Sequence, residues 1–348
     1  MRLSFAALTT LAFAPFGAAA DPVLVQPIEC ELGATCYIQH YVDRDPTPSV
    51  QDFGCGALSY DGHKGTDFAL ISLQQMRDGV NVVAAAPGVV RGVRDEMPDT
   101  GYNEITKDLV QGKECGNGVA IDHGGGWVSQ YCHMKRDSII VEPGRRVAAN
   151  AVLGQVGLSG RTQFPHLHIS IRKDGQIVDP FPSADRCFSK MPDHDLWQDD
   201  LQHTPGGVID LGFATSIPSF DAIMQGQAHA TSLTTVSPAV VTWVYAYGSQ
   251  AGDILALSIA GPEGLVVQKA IDLEKSQAQL FRAIGRKRPD TNWPTGTYTT
   301  RAVLLRGDQV LSDRSHTIDL RQRSVNFSSI RRFCARAVAL FSRLTGWN

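Results

Sequence analysis

The sequence DGHKGTD at residues 61–67 places a histidine and an aspartate four positions apart, with glycines at positions 62 and 65. Histidine nitrogens and aspartate oxygens are both ligands for Zn²⁺. A fully extended chain would hold His63 and Asp67 ~13 Å apart, too far to share one ion. The two glycines allow the chain to bend and to bring both side chains together. This stretch therefore indicates part of a metal site.

A histidine pair of the form H-x-H, His166 and His168, follows about a hundred residues later. Residues two apart on a strand face the same side, with ~7 Å between their backbones, so both imidazoles can reach one site. A catalytic zinc needs three protein ligands and an open position for water. His63, Asp67 and one histidine of the pair would supply three ligands. The spacing leaves open which histidine that is, and it leaves the other histidine and His133 for proton transfer.

The sequence around these motifs predicts antiparallel β structure. Short strand-like runs separated by Gly and Pro fill residues 61–185, and three glycines at 124–126 predict a hairpin turn between two of them. Another run, 167–172, alternates and ends at a Lys-Asp-Gly turn. Residues 97–114 interrupt the pattern with polar residues, which predicts a long inserted loop of the kind that often carries function.

Together, these motifs resemble the LytM/lysostaphin-like zinc endopeptidases, the family with the duplicated hybrid motif fold. The resemblance covers roughly residues 55–185. It is based on the following motifs: H-x-G-x-D at 63–67, A-P-G-V-V at 86–90, G-N-G at 116–118, V-A-I-D-H at 119–123, Y-x-H-M at 131–134, V-x-P-G at 141–144, G-Q-V-G at 154–157 and H-x-H at 166–168.

The resemblance implies a role for each of the five residues. His63, Asp67 and His168 would bind one Zn²⁺, whereas His133 and His166 would be catalytic and would position the water and stabilise the transition state. Members of the family cut peptide bonds in the stem peptides or cross-bridges of bacterial peptidoglycan. The sequence departs from the family at Phe164, where a small residue is usual, and in the insertion at 97–114.

The first twenty residues predict a signal peptide that is cleaved near Ala20. Arg2 is followed by a short apolar run and then by three alanines before Asp21. The apolar run is shorter than the ~20 residues that a membrane-spanning helix needs. We therefore expect a periplasmic or secreted protein.

The seven cysteines agree with an oxidising compartment, in which disulfides persist. Cys30 and Cys36 are the predicted local pair, because the five residues between them can form a turn. The other pairings stay open, and Cys334 stands alone near the end of the sequence. No C-x-x-C spacing supports a zinc knuckle.

The chain as a whole predicts a mainly β protein in which an antiparallel LytM-type domain precedes an Ig-like β-sandwich and a short C-terminal amphipathic helix. Short strands at regular spacing in the second half are typical of such a sandwich. The predicted segments are a signal peptide at 1–20, an irregular segment at 21–54, the zinc peptidase domain at 55–190, a linker at 191–225, the β-sandwich at 226–322 and the helix at 327–347.

The last segment, 327–347, has apolar residues at helical spacing with four arginines between them. Two placements of such a helix are open. It can pack on the sandwich, which we favour, or it can lie peripherally on an anionic membrane.

Several classes of function are excluded. With 32 Lys and Arg against 35 Asp and Glu, the net charge is −3, so a nucleic-acid partner is not expected. The G-x-S-x-G pattern of serine hydrolases fails at Arg161, and no H-E-x-x-H motif is present. Cys132 and His133 are chain neighbours on a strand and point to opposite faces, so they do not form a catalytic pair. His123 is interpreted as a histidine that either forms the turn or supports the site indirectly, and His194 and His203 as solvated.

Three functions remain, of which the first is favoured because all five positions carry the expected side chains. It is a zinc metalloendopeptidase that hydrolyses peptidoglycan peptides through metal-activated water and two catalytic histidines, with a wall or protein partner for the sandwich. The second is a non-enzymatic module of the same family that activates cell-wall amidases. The third is a zinc peptidase with a protein substrate.

Overall fold

The computed structural model describes residues 20–182 and 195–322. The predicted C-terminal helix, His194, Cys187 and Cys334 lie outside the described residues, as does the signal peptide apart from its last residue. The described residues form two compact units. The first comprises those of 1–70 and 76–203, and the second those of 71–75 and 204–348.

The first unit is built mainly of β-strands, with two very short helices in the same stretch of chain. In chain order, the elements are β1 (Cys36–His40), β2 (Thr66–Leu70), α1 (Leu73–Asp78), β3 (Asn81–Val83), β4 (Gly88–Arg94), α2 (Lys107–Val110), β5 (Asn117–Gly124), β6 (Trp127–Met134), β7 (Arg146–Val147), β8 (Val152–Gln155), β9 (His166–Lys173) and β10 (Gln176–Val178).

Eight of these strands form one sheet, in the order β1-β2-β9-β6-β5-β4-β7 with β10 paired to β9, and β3 pairs with β8. Every pairing is antiparallel, as the sequence predicts. One face of the sheet packs on the core through side chains that are at most 1 % exposed, including Phe68, Tyr131, Leu167 and Ile169. Because side chains alternate along a strand, His166 and His168 lie on the opposite face.

The turns that the sequence predicts are present. Gly124, Gly125 and Gly126 all have positive φ and join β5 to β6 as a hairpin. The Lys-Asp-Gly stretch that follows β9 joins it to β10.

The prediction of an irregular segment over 21–54 is wrong at β1. Residues 36–40 pair with β2 and form the edge of the large sheet. The sequence there, CYIQH, contains β-forming residues, and Cys36, Tyr37 and Ile38 are buried. Because the surrounding residues are rich in Asp, Pro and Cys, composition alone does not indicate this short strand.

The second unit consists of β-strands and one short helix. Its elements are β11 (Gly207–Ala214), α3 (Phe220–Met224), β12 (Leu233–Thr234), β13 (Ala239–Ser249), β14 (Ile254–Gly261), β15 (Gly264–Asp272), β16 (Gln277–Lys287), β17 (Gly296–Arg306) and β18 (Gln309–Arg321).

Two sheets share a core in this unit. Their orders are β11-β13-β16 and β12-β18-β17-β14-β15. Leu211 and Val244 from the first sheet pack in one apolar cluster with Leu255, Leu257 and Leu304 from the second. β structure after the peptidase-like unit is thus observed, whereas the Ig-like class of this unit stays a prediction.

The prediction of a linker over 191–225 is wrong at β11 and α3. β11 lies inside that range and pairs with β13 along its length. Val208, Leu211 and Phe213 are buried, so the strand belongs to the second unit rather than to a solvated connection. The helix α3 begins after Ser219, whose side chain accepts a hydrogen bond from the backbone N–H of Ala222.

Cys30 and Cys36 form a disulfide, as predicted, and Cys115 and Cys132 form a second. Cys55 is also disulfide-bonded. None of the described helices exceeds six residues. Within residues 20–182 and 195–322, no helix is long and apolar enough to cross a membrane.

Candidate metal centre and active site

The strand pairings bring the separated sequence motifs together. Asp67 on β2 lies directly opposite His168 on β9, and Cys132 on β6 lies opposite His168 from the other side. His63 precedes β2 on the bend predicted from its glycines. The sheet thereby places all five predicted residues at one end of its polar face.

Three of the five offer ligand atoms that converge on one point. The Oδ1 atom of Asp67 lies 2.8 Å from Nδ1 of His168 and 3.2 Å from Nε2 of His63. The two histidine nitrogens are 3.1 Å apart. Ligands ~2.0–2.1 Å from a tetrahedral zinc lie roughly 3.3 Å from one another. The donor types and their spacing therefore fit Zn²⁺, and of the described residues only this group is arranged to hold a metal ion.

A hydrogen bond to the backbone fixes the orientation of the His63 ring. Its Nδ1 donates a hydrogen bond to the backbone oxygen of Tyr41 at 2.7 Å, which leaves the lone pair of Nε2 directed at Asp67. The glycine of H-x-G-x-D is required by space, because a Cβ at Gly65 would lie 2.4 Å from the oxygen of Ile169 and 2.6 Å from Nε2 of His168.

The charges of the group suit a cation. Burial alone would raise the pKa of the Asp67 carboxyl, but His63, His166 and His168 together hold it well below its ordinary value. Burial lowers the pKa of His168 despite its hydrogen bond to Asp67. The opposite holds for His63, where Asp67 outweighs burial and raises the pKa. An anionic carboxylate beside imidazole nitrogens is the form that binds a metal ion.

His133 stands at the end of β6 in a left-handed conformation, with φ of 62°. A non-glycine residue adopts this conformation only where its surroundings hold it. Its backbone N–H donates a hydrogen bond to the backbone oxygen of Cys115, which is disulfide-bonded to Cys132. Its side-chain Nδ1 donates a hydrogen bond to the backbone oxygen of Ser159 at 2.9 Å. Burial, followed by the nearby His166 and His168, lowers the pKa of His133 well below its ordinary value.

His166 completes the cluster. Its Nδ1 lies 3.0 Å from both the oxygen of Phe164 and Oγ1 of Thr162, and its Nε2 lies 3.4 Å from Oδ1 of Asp67. The ring centroids of His133 and His166 are 4.7 Å apart. Phe164, at which the sequence departs from the family, stacks on His166 with 4.4 Å between centroids.

The predicted insertion at 97–114 is tied to the segment that supports His133. The side chain of Asn117 accepts a hydrogen bond from the N–H of Met97 and donates to the backbone oxygens of Met97 and Met134. Its backbone N–H donates to the Oγ of Ser159. Asp99 accepts the N–H of Leu158. The insertion contains α2, and its Met97 and Asp99 contact segments that adjoin Ser159, the hydrogen-bond partner of His133.

A sixth residue, His40, was missed by the sequence reasoning. Its Nδ1 lies 3.1 Å from Oδ2 of Asp67, the oxygen that does not face His63 and His168. His40 is the last residue of β1 and lies opposite Asp67 after a bulge in the β1–β2 ladder. No motif marks it in the sequence, because only the strand pairing brings it to the carboxylate.

We expect His40→Ala to weaken zinc binding by ~10–100-fold, because the ligand carboxylate loses the contact that fixes its second oxygen. The measurement is the zinc dissociation constant, obtained by competition with a chelator. His123→Ala is the matched control. An unchanged dissociation constant in His40→Ala would show that Asp67 is held without it.

The other histidines in the described part of the chain lie outside this cluster. His123 lies on β5 rather than in the turn, and its ring nitrogens contact the oxygen of Pro87 and the Oγ of Ser129. His203 was predicted to be solvated, but its side chain is only 20 % exposed and packs against Tyr41 and Phe53. Aromatic packing between distant segments has no local signal in the sequence.

A model of peptidase family M23 matches residues 61–180, the span that holds the five predicted residues. These residues form an M23 peptidase domain. The resemblance to LytM/lysostaphin-like proteins is thereby confirmed over that range.

The M23 domain is distantly related to known peptidoglycan endopeptidases. The chain is 28 % identical over 136 residues to peptidoglycan DD-endopeptidase ShyA of Vibrio cholerae, a match that covers 39 % of this chain and 26 % of ShyA. It is 29 % identical over 118 residues to ShyC of the same organism, covering 34 % and 22 %. The chain thus spans about a quarter of the length of these relatives.

Among solved structures, the M23 protein EnpA of Enterococcus faecalis has a similar catalytic domain, with 24 % identity and a TM-score of 0.30. The match covers 43 % of this chain and 92 % of that domain.

Proposed function

We propose that the protein is a zinc metalloendopeptidase that hydrolyses peptide bonds in peptidoglycan stem peptides or cross-links. The observation that carries this proposal is the convergence of His63, Asp67 and His168 on one point, with two further histidines beside them. The relation to the two DD-endopeptidases supports peptidoglycan as the substrate.

Zinc held by the three ligands would polarise the substrate carbonyl and lower the pKa of a water molecule at the site. The chain supplies the proton transfers. His133 donates a hydrogen bond from its Nδ1–H to the backbone oxygen of Ser159, so Nε2 carries the lone pair. Burial lowers the pKa of this imidazole and favours the neutral form, which can accept a proton at Nε2. His166 donates a hydrogen bond through Nδ1 to the backbone oxygen of Phe164, and its Nε2 faces the site. A proton taken up at Nε2 would let this nitrogen donate a hydrogen bond to the tetrahedral oxyanion.

A non-enzymatic module that activates amidases is the second candidate, and a zinc peptidase with a protein substrate is the third. A module of the former kind has no need of a complete ligand set with two oriented histidines. Phe164 stacks on His166, and the insertion at 97–114 also changes the surroundings of the site. The choice among peptide substrates therefore stays open in this proposal.

We further propose that the protein acts in the periplasm or outside the cell, after removal of its first 20 residues. The disulfides agree with an oxidising compartment. The second unit would be an Ig-like sandwich that binds the wall or a protein partner, and the predicted segment 327–347 would pack on it or contact a membrane.

We expect the mature protein to release soluble peptides from purified, cross-linked sacculi, and we expect a zinc chelator to stop this release. Mass spectrometry of the fragments would name the bond that is cut. Zinc re-addition after chelation is the control, since it must restore activity. A zinc-loaded protein that yields no fragments would contradict an active endopeptidase and favour the non-enzymatic module.

A further inference from the structure

A groove crosses the face of the large sheet that carries His168. Two cavities of about 360 and 430 Å³ share Ala120 and Gln130 in their walls. Gln130 lies opposite Ser170 in the β6–β9 ladder, two positions along from the Cys132–His168 pair. The groove, defined here by the residues lining these two cavities, therefore lies on the same face of the sheet as His168.

Arg172 lines this groove further along β9. His168 and Arg172 lie on the same face of one strand, four residues apart, which corresponds to ~13 Å. If an extended peptide binds with its scissile bond at the metal centre, a group about four residues from that bond would lie at the Arg172 guanidinium.

Arg172 is a partly buried cation that has no acidic partner among the described residues. Its Nη1 donates to Oε1 of Gln130 at 2.9 Å, which engages one of the five N–H donors of a guanidinium. Burial lowers its pKa, and no carboxylate offsets that effect.

Two acidic residues line the same cavity as Arg172, but their carboxylates contact groups other than its guanidinium. Asp122 accepts the N–H of Gly124 at the hairpin turn. Asp174 lies against Gly126, where an added Cβ would collide with its Oδ1 at 2.0 Å. The guanidinium thus keeps donors for a ligand.

We propose that Arg172 binds a carboxylate of the peptide substrate, about four residues from the bond that is cut. This inference rests on the proposed peptidase function and adds a determinant of specificity to it. A planar guanidinium binds a carboxylate through two parallel hydrogen bonds, and partial burial strengthens them. The three candidate metal ligands play no part in this contact, because Arg172 lies four residues from His168 along β9.

The test uses cross-linked peptidoglycan peptides that are identical except for one carboxyl group, either free or amidated. With the wild-type protein, amidation of the carboxyl recognised by Arg172 should lower kcat/KM by roughly 10–100-fold, chiefly through KM. Arg172→Gln should lower kcat/KM for the free acid by a similar factor and remove the difference between the two substrates. This variant keeps a side-chain N–H donor for Gln130, so it is milder than truncation. Arg145→Ala, at an exposed arginine outside the groove, is the control.

The outcomes separate this inference from the proposed function. If wild type cleaves neither substrate, the proposed peptidase function fails. Carboxylate recognition is overturned if wild type cleaves the free and the amidated substrate equally, whichever carboxyl is amidated. It is also overturned if Arg172→Gln lowers the turnover of both substrates by one common factor. Zinc content, measured in every variant, should stay at the wild-type level, because Arg172 does not contact the metal ligands.

Discussion

His63→Ala is expected to abolish zinc retention and to reduce hydrolysis to the level seen without enzyme. The residue is 2 % exposed and supplies one of the three converging ligand atoms. The loss also leaves Asp67 as a buried carboxylate with one partner fewer, which destabilises the folded site. Metal analysis after dialysis and turnover of sacculi are the two measurements.

His229→Ala in the second unit serves as the control, since His229 pairs with Asp210 and belongs to another part of the fold. It should keep the zinc and the activity. Full turnover in His63→Ala would show that the metal assignment is incorrect.

His133→Ala is expected to behave differently, retaining zinc while losing ~10²–10⁴-fold in kcat. Its imidazole is oriented by Ser159 and is not one of the three converging ligands. The same reasoning applies to His166, which contacts Asp67 at a longer distance than the ligand histidines do. The measurement is kcat at saturating peptide, with the zinc content of the same sample.

His133→Gln would show whether the proton acceptor or merely the shape of the side chain is needed. It should remain as slow as His133→Ala while the protein stays folded. A variant that loses zinc together with activity would instead assign His133 to the metal, and one with normal kcat would remove it from the reaction.

The five candidate residues can be picked out in the sequence because their signals are local. H-x-H on a strand places two imidazoles on one face, and the glycine at 65 admits His168 where a larger residue would collide with it. Which histidine of the pair completes the group depends on the β2–β9 register, since Asp67 lies opposite His168 and not opposite His166. Spacing alone could not decide that.

Features produced by long-range pairing were not predictable in the same way. His40 reaches Asp67 only because β1 joins the sheet edge with a bulge that sets His40 opposite Asp67. The left-handed conformation of His133 depends on Cys115 and Ser159, which are distant in sequence. β11 was missed because the Pro and Gly residues before it resemble a connection, although its alternating apolar residues pair with β13.

The ligands His63 and His168 are separated by 105 positions in the chain. An ion held between them ties the beginning and the end of the peptidase domain together, and the chain must release it in order to unfold. Metal availability and folding are therefore thermodynamically linked. Above saturation, each tenfold rise in free zinc would add roughly 1.4 kcal/mol to the stability of the folded domain. The ion that serves hydrolysis would also act as a reversible cross-link.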